Sequence, residues 1–537
     1  MDMQNVIVLG GSYAGARAAH LLGQGLGSRF RVIMIDRNRS TQTVCVPPQI
    51  YIVRKSEPVA DLYVFPRFAV LPGHEHKAFV PYNRIFNPPP ASSADLPPLP
   101  HVVLHARIIG FSQHDVTIDR TFPELGFHSP VIPFRYAVYA LGNRLPAPID
   151  LWSPGEAAVT AQREVKRVGD ADVTAEPLQT VYDGTKQEAM AWLKRCQDRI
   201  RAVDSILCVG GGALGIQFAT DIKSLYPEKQ VTLLHSRHRL LPRFEYDLHC
   251  EVLKTLEDLQ IDLILGERLD LSSTLPEAAK FNASGQRVVR TEKGREVAAN
   301  ILLLCTGQIP NTDLLAEMSP QSVDPKSKLA YVLPTMQLGI IPSASDSETS
   351  PASAQDSSLP SEFDLNQLRL QEETLTSNTL ESEYTSEIPV QAIDEEGELE
   401  ILPETPFPHI FVVGDCADAF GAIKAGHTAY WQAEVAARNI IRLARREAEF
   451  EVAFVPESGD ANGEASQEPK APESLELESY TPGLPAIKVS LGIGRTAAYQ
   501  FNGMVGRKDT PESDDLDAPL IWSFFGMQDV KPEEMYD

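Results

Sequence analysis

Five short runs of consecutive apolar residues recur along the chain, and glycine or polar residues bound each of them. They lie at residues 6–9, 32–35, 206–209, 231–234 and 410–413. Unbroken apolar runs of this length are typical of strands that helices cover on both faces of a parallel sheet. The pattern therefore predicts the α/β fold class.

Two predicted strand–helix–strand units share one layout, with a glycine-rich turn between the first strand and the helix. The first unit is built from residues 6–9, 14–22 and 31–36, and the second from residues 206–209, 214–225 and 231–235. Because the same unit recurs about 200 residues further on, we expect two similar α/β domains.

Acidic residues are concentrated in two segments rich in Ser, Pro and Glu. Of the net charge of −25, residues 342–402 carry −14 and residues 456–480 carry −6, which leaves −5 for the rest of the 537 residues. Such segments bury too little apolar surface to fold alone, so we predict disordered surface insertions that act as solvated tethers. The nearly neutral remainder gives no electrostatic support for nucleic-acid binding.

Several other classes of protein are also excluded. No apolar run reaches the ~18 residues that a membrane span needs, and the first five residues resemble neither a signal peptide nor a myristoylation site. The six cysteines are scattered and form no Cys-x-x-Cys pair, which argues against a disulfide scaffold, a metal site or a dithiol redox centre. We therefore expect a cytosolic protein.

The turn of the first unit has a pattern that suits a dinucleotide. It reads Gly10-Gly11-Ser12-Tyr13-Ala14-Gly15, and Asp36-Arg37 follows the second strand. Gly10 permits a tight turn, the small Ser12 lets backbone amides approach a pyrophosphate, and Gly15 allows close packing of helix on strand. The helix N-terminus attracts the anion, and Asp36 can accept hydrogen bonds from a ribose.

The turn of the second unit is closer to the dinucleotide consensus. It reads Gly210-Gly211-Gly212-Ala213-Leu214-Gly215, and its second strand ends in His235-Ser236-Arg237. A carboxylate at that strand end would bind the ribose 2′-hydroxyl of NADH and repel a 2′-phosphate, whereas Ser and Arg can accept the phosphate. The sequence therefore favours NADPH over NADH.

Three further strand-end turns complete the pattern. They are Ala140-Leu141-Gly142, Thr306-Gly307 and Gly414-Asp415. With the two glycine-rich turns, this ordered set resembles the two-dinucleotide-binding flavoproteins. Within them it is similar to the apoptosis-inducing-factor-like, ferroptosis-suppressor-type NAD(P)H:quinone oxidoreductases, and the resemblance extends from residue 6 to about residue 522.

The resemblance implies two Rossmann-like domains and a small α+β C-terminal domain. Residues 1–150 and 404–450 would bind FAD, residues 151–340 would bind NADPH or NADH, and residues 484–537 would shape the acceptor site. The acidic insertion 341–403 and the acidic linker 451–483 would interrupt them.

The resemblance also implies roles for two residues near the flavin. Asp415 would hydrogen-bond the ribityl chain, and Lys424 matches a basic position that makes it the candidate catalytic residue. Two departures from the family are Gln217, where relatives often carry Glu, and Asp2, which removes a lipid anchor. The apolar segment 520–527 could make at most a peripheral membrane contact, and we expect it to pack against the protein.

The identity of the electron acceptor stays open at this point. Without a dithiol relay, electrons would pass to a quinone, a one-electron carrier or oxygen. One alternative is a single-cysteine disulfide or peroxide reductase, because Cys45 lies 30 residues beyond Gly15. Another is a flavin-bound signalling protein with little turnover.

Overall fold

A computed structural model gives the structure of the protein. It describes residues 3–36, 64–82, 84–86, 100–144, 186–306, 308–342, 405–453, 476–523, 525, 527 and 530–536. Arg37, Cys45 and Gly307 lie outside the described residues, as do residues 343–404 and 454–475.

The described strands are numbered in chain order. Up to residue 144 they are β1 (Gln4–Leu9), β2 (Phe30–Asp36), β3 (Val102–His105), β4 (Ile108–Phe111), β5 (Asp115–Ile118), β6 (Val131–Pro133), β7 (Tyr136–Tyr139) and β8 (Asn143–Arg144). The next are β9 (Ser205–Val209), β10 (Gln230–His235), β11 (Asp262–Leu265), β12 (Lys280–Phe281), β13 (Arg287–Arg290), β14 (Glu296–Ala299), β15 (Ile301–Leu304) and β16 (Ile309–Pro310). The last are β17 (Ala330–Tyr331), β18 (Gln337–Leu338), β19 (Phe407–Val412), β20 (Ala417–Asp418), β21 (Ile487–Ser490), β22 (Ala497–Phe501) and β23 (Met504–Arg507).

The described α-helices are numbered in the same way. They are α1 (Tyr13–Gly25), α2 (Phe65–Phe68), α3 (Lys186–Arg201), α4 (Ala213–Leu225), α5 (Tyr246–Asp258), α6 (Asp313–Met318), α7 (Gly426–Ala453) and α8 (Ala518–Ser523). Two 3₁₀ turns, Glu75–Ala78 and Pro532–Tyr536, also matter below. None of the helices in the described part of the chain combines the length and apolarity that a bilayer crossing needs.

The first sheet has six strands in the order β18-β19-β7-β1-β2-β3. Strands β19, β7, β1, β2 and β3 are parallel neighbours, and β18 pairs antiparallel with β19 at one edge. Because the carboxyl ends of parallel strands meet at one edge of the sheet, the turns after β1, β7 and β19 come together there.

The second sheet has four strands in the order β11-β10-β9-β15, and all its pairs are parallel. Both sheets confirm the α/β expectation, and the predicted βαβ units end within a few residues of the observed ones. Five smaller sheets accompany them. They are β4-β5-β6, β12-β13-β14, β21-β22-β23, β16-β8 and β17-β20.

Each parallel sheet lies in its own hydrophobic core, and the chain passes between the two cores repeatedly. Residues 64–79 pack into the core of the second sheet, together with 487–518. Residues 314–338 contribute instead to the core of the first sheet, as do Trp522, Phe525, Met527 and Met535 near the C-terminus. Trp522, Phe525 and Met527 are at most 4% exposed there, so the packing expected for the C-terminal apolar segment holds for these residues, whereas Leu520 is 55% exposed.

The expectation of a solvated acidic tether is wrong for residues 476–480. Glu478 pairs with Arg438 at 2.6 Å, and its backbone N–H donates to the amide oxygen of Asn439 at 2.7 Å. Tyr480 is 5% exposed. The arginines of α7 neutralise the acid and the tyrosine buries apolar surface, so this piece packs on the protein despite its acidic composition.

Candidate functional site

The first glycine-rich turn is packed so closely that side chains are excluded at both of its ends. Gly10 has a φ of +93°, and a Cβ there would lie 2.7 Å from the carbonyl oxygen of Ala140. A Cβ on Gly15 would lie 1.8 Å from the carbonyl oxygen of Gly10. The predicted roles of Gly10 in the turn and of Gly15 in helix packing therefore agree with the geometry.

The N-terminus of α1 is arranged to receive an anion. Ser12 occupies the N-cap position but its side chain makes no capping hydrogen bond, and the first turn contains no acidic residue. The N–H groups of a helix start carry partial positive charge and need acceptors. A phosphate group satisfies both requirements.

Asp36 ends β2 beside this turn and is 1% exposed. Its Oδ2 accepts hydrogen bonds from the backbone N–H of Gly11 at 2.9 Å and from the hydroxyl of Tyr82 at 3.3 Å. A Cβ on Gly11 would lie 2.3 Å from that hydroxyl, so glycine at this position lets Tyr82 reach the carboxylate. Tyr82 was missed in the sequence because no motif surrounds it.

The second turn repeats the geometry of the first. Gly210 has a φ of +129°, and its Cβ would lie 2.8 Å from the carbonyl oxygen of Cys305. A Cβ on Gly215 would lie 1.9 Å from the carbonyl oxygen of Gly210. Gly212 caps α4 without a side chain, and a Cβ on it would meet nothing within 4 Å. This open space at an uncapped helix start suits a second pyrophosphate.

At the end of the second strand of this unit, the imidazole ring of His235 is buried whereas the guanidinium group of Arg237 is exposed. His235 is 9% exposed, and its Nε2 has no hydrogen-bond partner among the residues that the structure describes. Burial lowers the pKa of His235, which keeps the ring neutral at neutral pH. Ser236 is half-buried and Arg237 is exposed. A buried nitrogen without a partner is unusual, and a ligand hydroxyl would satisfy it.

The Gly414-Asp415 turn follows β19 at the same edge as the first glycine-rich turn. Gly414 has a φ of +81°, and its Cβ would lie 3.7 Å from that of Ala14. Its N–H donates to the side-chain oxygen of Gln432, a residue on α7, at 2.7 Å. Asp415 is 3% exposed. The structure thus brings the predicted Gly414-Asp415 turn to the start of α1.

Two side chains contact Asp415, one at its carboxylate and the other at its backbone carbonyl. The amide nitrogen of Asn143 lies 3.2 Å from its Oδ2, and the ammonium group of Lys424 donates to its backbone carbonyl. Lys424 is exposed, so its charge remains accessible from solvent. Asn143 and Gln432 were both missed as site residues: Asn143 directly follows the predicted Ala140-Leu141-Gly142 turn, which was its only signal, and no motif surrounds Gln432.

The two thiols that lie at the predicted turns, Cys305 and Cys416, are unsuited to electron relay. The five cysteines in the described part of the chain are all free. Cys416, next to Asp415, is fully buried, and burial raises the pKa of its thiol to about 11. Burial likewise raises the pKa of Cys305 well above its usual value. Because the thiolate is the reactive form, these thiols are inert at neutral pH.

The residues present fit two dinucleotides. Two uncapped helix starts with glycine cradles can each receive a pyrophosphate. Two buried polar atoms, Oδ1 of Asn143 and Nε2 of His235, have no hydrogen-bond partner among the described residues. Each lies at a strand end beside one of the predicted sites, where a ligand would complete its hydrogen bonding.

Comparison with known proteins also indicates a protein that binds two dinucleotides. The sequence profile described as pyridine nucleotide-disulphide oxidoreductase matches residues 4–330. Fe-regulated protein 8 of Mycosarcoma maydis is 32% identical over 533 residues, which cover 98% of this chain and 96% of that protein. Ferroptosis suppressor protein 1 of Homo sapiens is 37% identical over 126 residues, which cover 22% of this chain and 32% of that protein.

A solved structure, the water-forming NADH oxidase from Lactobacillus brevis bound to NADH, aligns with 81% of this chain and 69% of its own. Its TM-score is 0.45 at 14% identity. The sequence profile and the full-length relative decide the assignment. The chain belongs to the pyridine nucleotide-disulphide oxidoreductase family and is an oxidoreductase that binds FAD and NAD(P)H.

Proposed function

We propose that this chain is an NAD(P)H:quinone oxidoreductase. The observation that carries the proposal is that the sequence contains no Cys-x-x-Cys pair, so it offers no dithiol relay beside the flavin, which favours an external acceptor. Cys416, the thiol next to Asp415, is fully buried and its pKa is raised to about 11, so it does not take that role. The sequence resemblance to quinone reductases supplies the class of that acceptor.

The chain's own residues would bind and orient the two cofactors. The first turn and Asp36 would hold the pyrophosphate and ribose of FAD, and Asp415 would hold the ribityl chain. The second turn and the residues after β10 would hold NAD(P)H. The cofactors supply the hydride transfer itself.

Lys424 is the catalytic residue that we propose. Its ammonium group is held by the carbonyl of Asp415, so a positive charge is fixed beside the flavin-binding turn. A prepositioned cation stabilises negative charge that develops during electron transfer.

Exposed apolar side chains on either side of Lys424 in the sequence suit an aromatic acceptor. Phe420 is 44% exposed and Trp431, on the second turn of α7, is 49% exposed. Flat apolar surface of this kind favours a quinone ring over a small polar disulfide.

We further propose that NADPH is the preferred electron donor. Strand β10 ends at His235 without an acidic residue, and Ser236 and Arg237 follow it. An exposed guanidinium can pair with a 2′-phosphate that NADH lacks. A cytosolic site of action remains a prediction from the scattered cysteines.

Anaerobic stopped-flow reduction of the purified holoenzyme tests the function. We expect NADPH to bleach the flavin absorbance faster than NADH, and a short-chain quinone to restore it. Bleaching without reoxidation by quinone would contradict the proposal and direct attention to a disulfide, peroxide or protein acceptor.

Two variants separate the alternatives. Cys45→Ser should keep full quinone turnover, and a loss of turnover would favour the single-cysteine reductase instead. Lys424→Met should lower kcat at least tenfold while FAD content is unchanged. Wild-type turnover far below ~1 s⁻¹ with every acceptor would favour a signalling role.

A further inference from the structure

Asn143 is the first residue of β8 and is 1% exposed. Its amide nitrogen donates to Oδ2 of Asp415 and to the side-chain oxygen of Gln308, each at 3.2 Å. Because both acceptors are oxygens and one belongs to a carboxylate, the nitrogen of the amide must face them. The amide oxygen therefore points away from this pair.

That amide oxygen, Oδ1, is buried and has no hydrogen-bond partner among the residues that the structure describes. Buried side-chain oxygens in proteins are almost always hydrogen-bonded. Since Asn143 is held in place on its nitrogen side, it cannot turn to find another donor. A ligand that carries a donor is the natural partner.

The chemistry of FAD narrows that donor to one part of the molecule. Its phosphates are acceptors without protons at neutral pH, and the uncapped start of α1 already suits them. Its donors are the adenine amino group, the ribose and ribityl hydroxyls and the N–H of the flavin ring. Because Asp415 would hold the ribityl chain, the ribityl hydroxyls and the ring N–H are the donors on the side of Asn143. An amide oxygen beside Asp415 fits these groups and does not fit a phosphate.

We propose that Asn143 is an FAD-binding residue with two tasks. Its nitrogen holds the Asp415 carboxylate, and its oxygen accepts a hydrogen bond from a ribityl hydroxyl or from the ring N–H of FAD. Its link to Gln308 is secondary, because Gln308 is exposed and can exchange this bond for water. The proposal rests on FAD binding and is independent of the acceptor being a quinone.

Measuring the FAD affinity of the apoprotein tests the proposal. We expect Asn143→Leu, which is close in size but has no polar atoms, to raise the Kd at least tenfold, and Asn143→Ser to do the same. Gln308→Leu is the matched control, because it removes only the other partner of the amide nitrogen, and its Kd should stay within twofold of wild type.

The variant Asn143→Asp should make FAD affinity depend on pH, an effect that would not arise if Asn143 served only in packing. It places a second carboxyl beside Asp415, and two carboxyls at this distance share a proton at low pH and repel each other once both are ionised. We expect its FAD affinity to fall as the pH rises through the range where that proton is lost, while the affinity of wild type stays level.

The apoproteins of the Asn143 variants should melt below wild type, because the buried Asp415 loses a hydrogen bond, so FAD affinity is compared at a temperature at which every apoprotein is folded. If Asn143→Leu does not fold, the smaller Asn143→Ser decides. FAD affinity equal to wild type in both, with no pH dependence in Asn143→Asp, overturns the proposal. Failure of quinone turnover in wild type leaves this test intact, whereas a wild type that binds no FAD overturns the proposal.

Discussion

At the residue scale, the outer glycines of each turn are required by packing within the protein. The middle Gly212 has free space around it, so we expect the bound ligand to require glycine there. A side chain at Gly15 or Gly215 would overlap the backbone of the preceding strand end, and one at Gly212 would enter open space. The same substitution at these positions should therefore have opposite effects on folding and binding.

We expect Gly215→Ala to destabilise the protein, because its Cβ would lie 1.9 Å from a backbone oxygen. Gly212→Ala should leave the melting temperature unchanged but raise the KM for NADPH about tenfold, since a methyl group would narrow the pyrophosphate site. Gly27→Ala, whose Cβ also meets nothing within 4 Å, is the control for both. Steady-state kinetics with thermal melts check this, and an unchanged KM in Gly212→Ala would contradict the placement of the pyrophosphate.

His76 should make the protein sensitive to acid. Burial lowers its pKa from 6.5 to about 4, and its ring stacks on Tyr536 with centroids 3.8 Å apart. As the pH falls through this window, the unfolded chain binds a proton here that the native protein does not. The free energy of unfolding therefore decreases by up to about 3 kcal/mol.

Replacing His76 by Phe keeps the ring stacked on Tyr536 but removes the group that binds a proton. The decrease in the free energy of unfolding at acidic pH should therefore be smaller in this variant. Urea denaturation across the pH window measures it for wild type and His76→Phe. The exposed His128 is the control, and His128→Phe should keep the wild-type pH dependence. A His76→Phe protein with the same dependence as wild type would place the acid sensitivity in other histidines.

At the scale of elements, helix α7 connects the flavin-binding turn to the acidic linker. Gln432 on its second turn holds the N–H of Gly414, and Asn439 two turns later holds residues 335 and 478. Residues 476–480 therefore attach to the same helix that orients the turn.

We expect the buried amide of this attachment to matter more than its exposed ion pairs. Asn439 is fully buried and its side chain makes four hydrogen bonds, so Asn439→Ala should cost about 2–3 kcal/mol of unfolding free energy. The pairs of Glu478 with Arg438 and Arg442 are partly exposed, so Glu478→Gln should cost less than about 1 kcal/mol. Chemical denaturation measures both, and the reverse order would contradict this view.

At the scale of the whole molecule, one buried ion pair joins three distant parts of the chain. Arg67, on α2, donates to Asp221 at 2.9 Å and to the hydroxyl of Ser490 at 2.7 Å, and both charged side chains are at most 1% exposed. It thereby ties residues 64–70 to helix α4 and to the C-terminal sheet. These three parts are far apart in the sequence, and the hydrogen bonds of Arg67 hold them together.

Removal of one partner should be severe, because a buried charge is left without compensation. We expect Arg67→Met to cost about 3–5 kcal/mol, and addition of Asp221→Leu to recover much of it. Burial already raises the pKa of Asp221, so without Arg67 the carboxyl should be buried more easily in its protonated form. The loss in Arg67→Met should therefore shrink as the pH falls.

Denaturation of the single and double variants at neutral and acidic pH measures these effects. Arg120→Ala, which breaks an exposed pair with Asp119, is the control and should cost less than about 1 kcal/mol. A double variant that is no more stable than Arg67→Met would show that the pair contributes through packing instead.

The sequence by itself determined the α/β class, the two strand–helix–strand units and both glycine-rich turns. In each unit the strand, turn and helix are consecutive, so their apolar runs and glycine spacing are readable without knowing any other part of the chain. The predicted positions of Asp36 and of Gly414-Asp415 follow for the same reason, because Asp36 ends the buried strand β2 and Gly414-Asp415 comes shortly after β19.

Only the tertiary structure decided which other side chains join these turns. Asn143 meets Asp415 across 272 positions of the chain, and Arg67 meets Asp221 across 154. Tyr82 closes over Gly11, and the acidic residues 476–480 pack on α7 against their composition. A lone Asn, Arg or Tyr carries no periodic signal, and its partner depends on how sheet order and strand ends bring distant segments together.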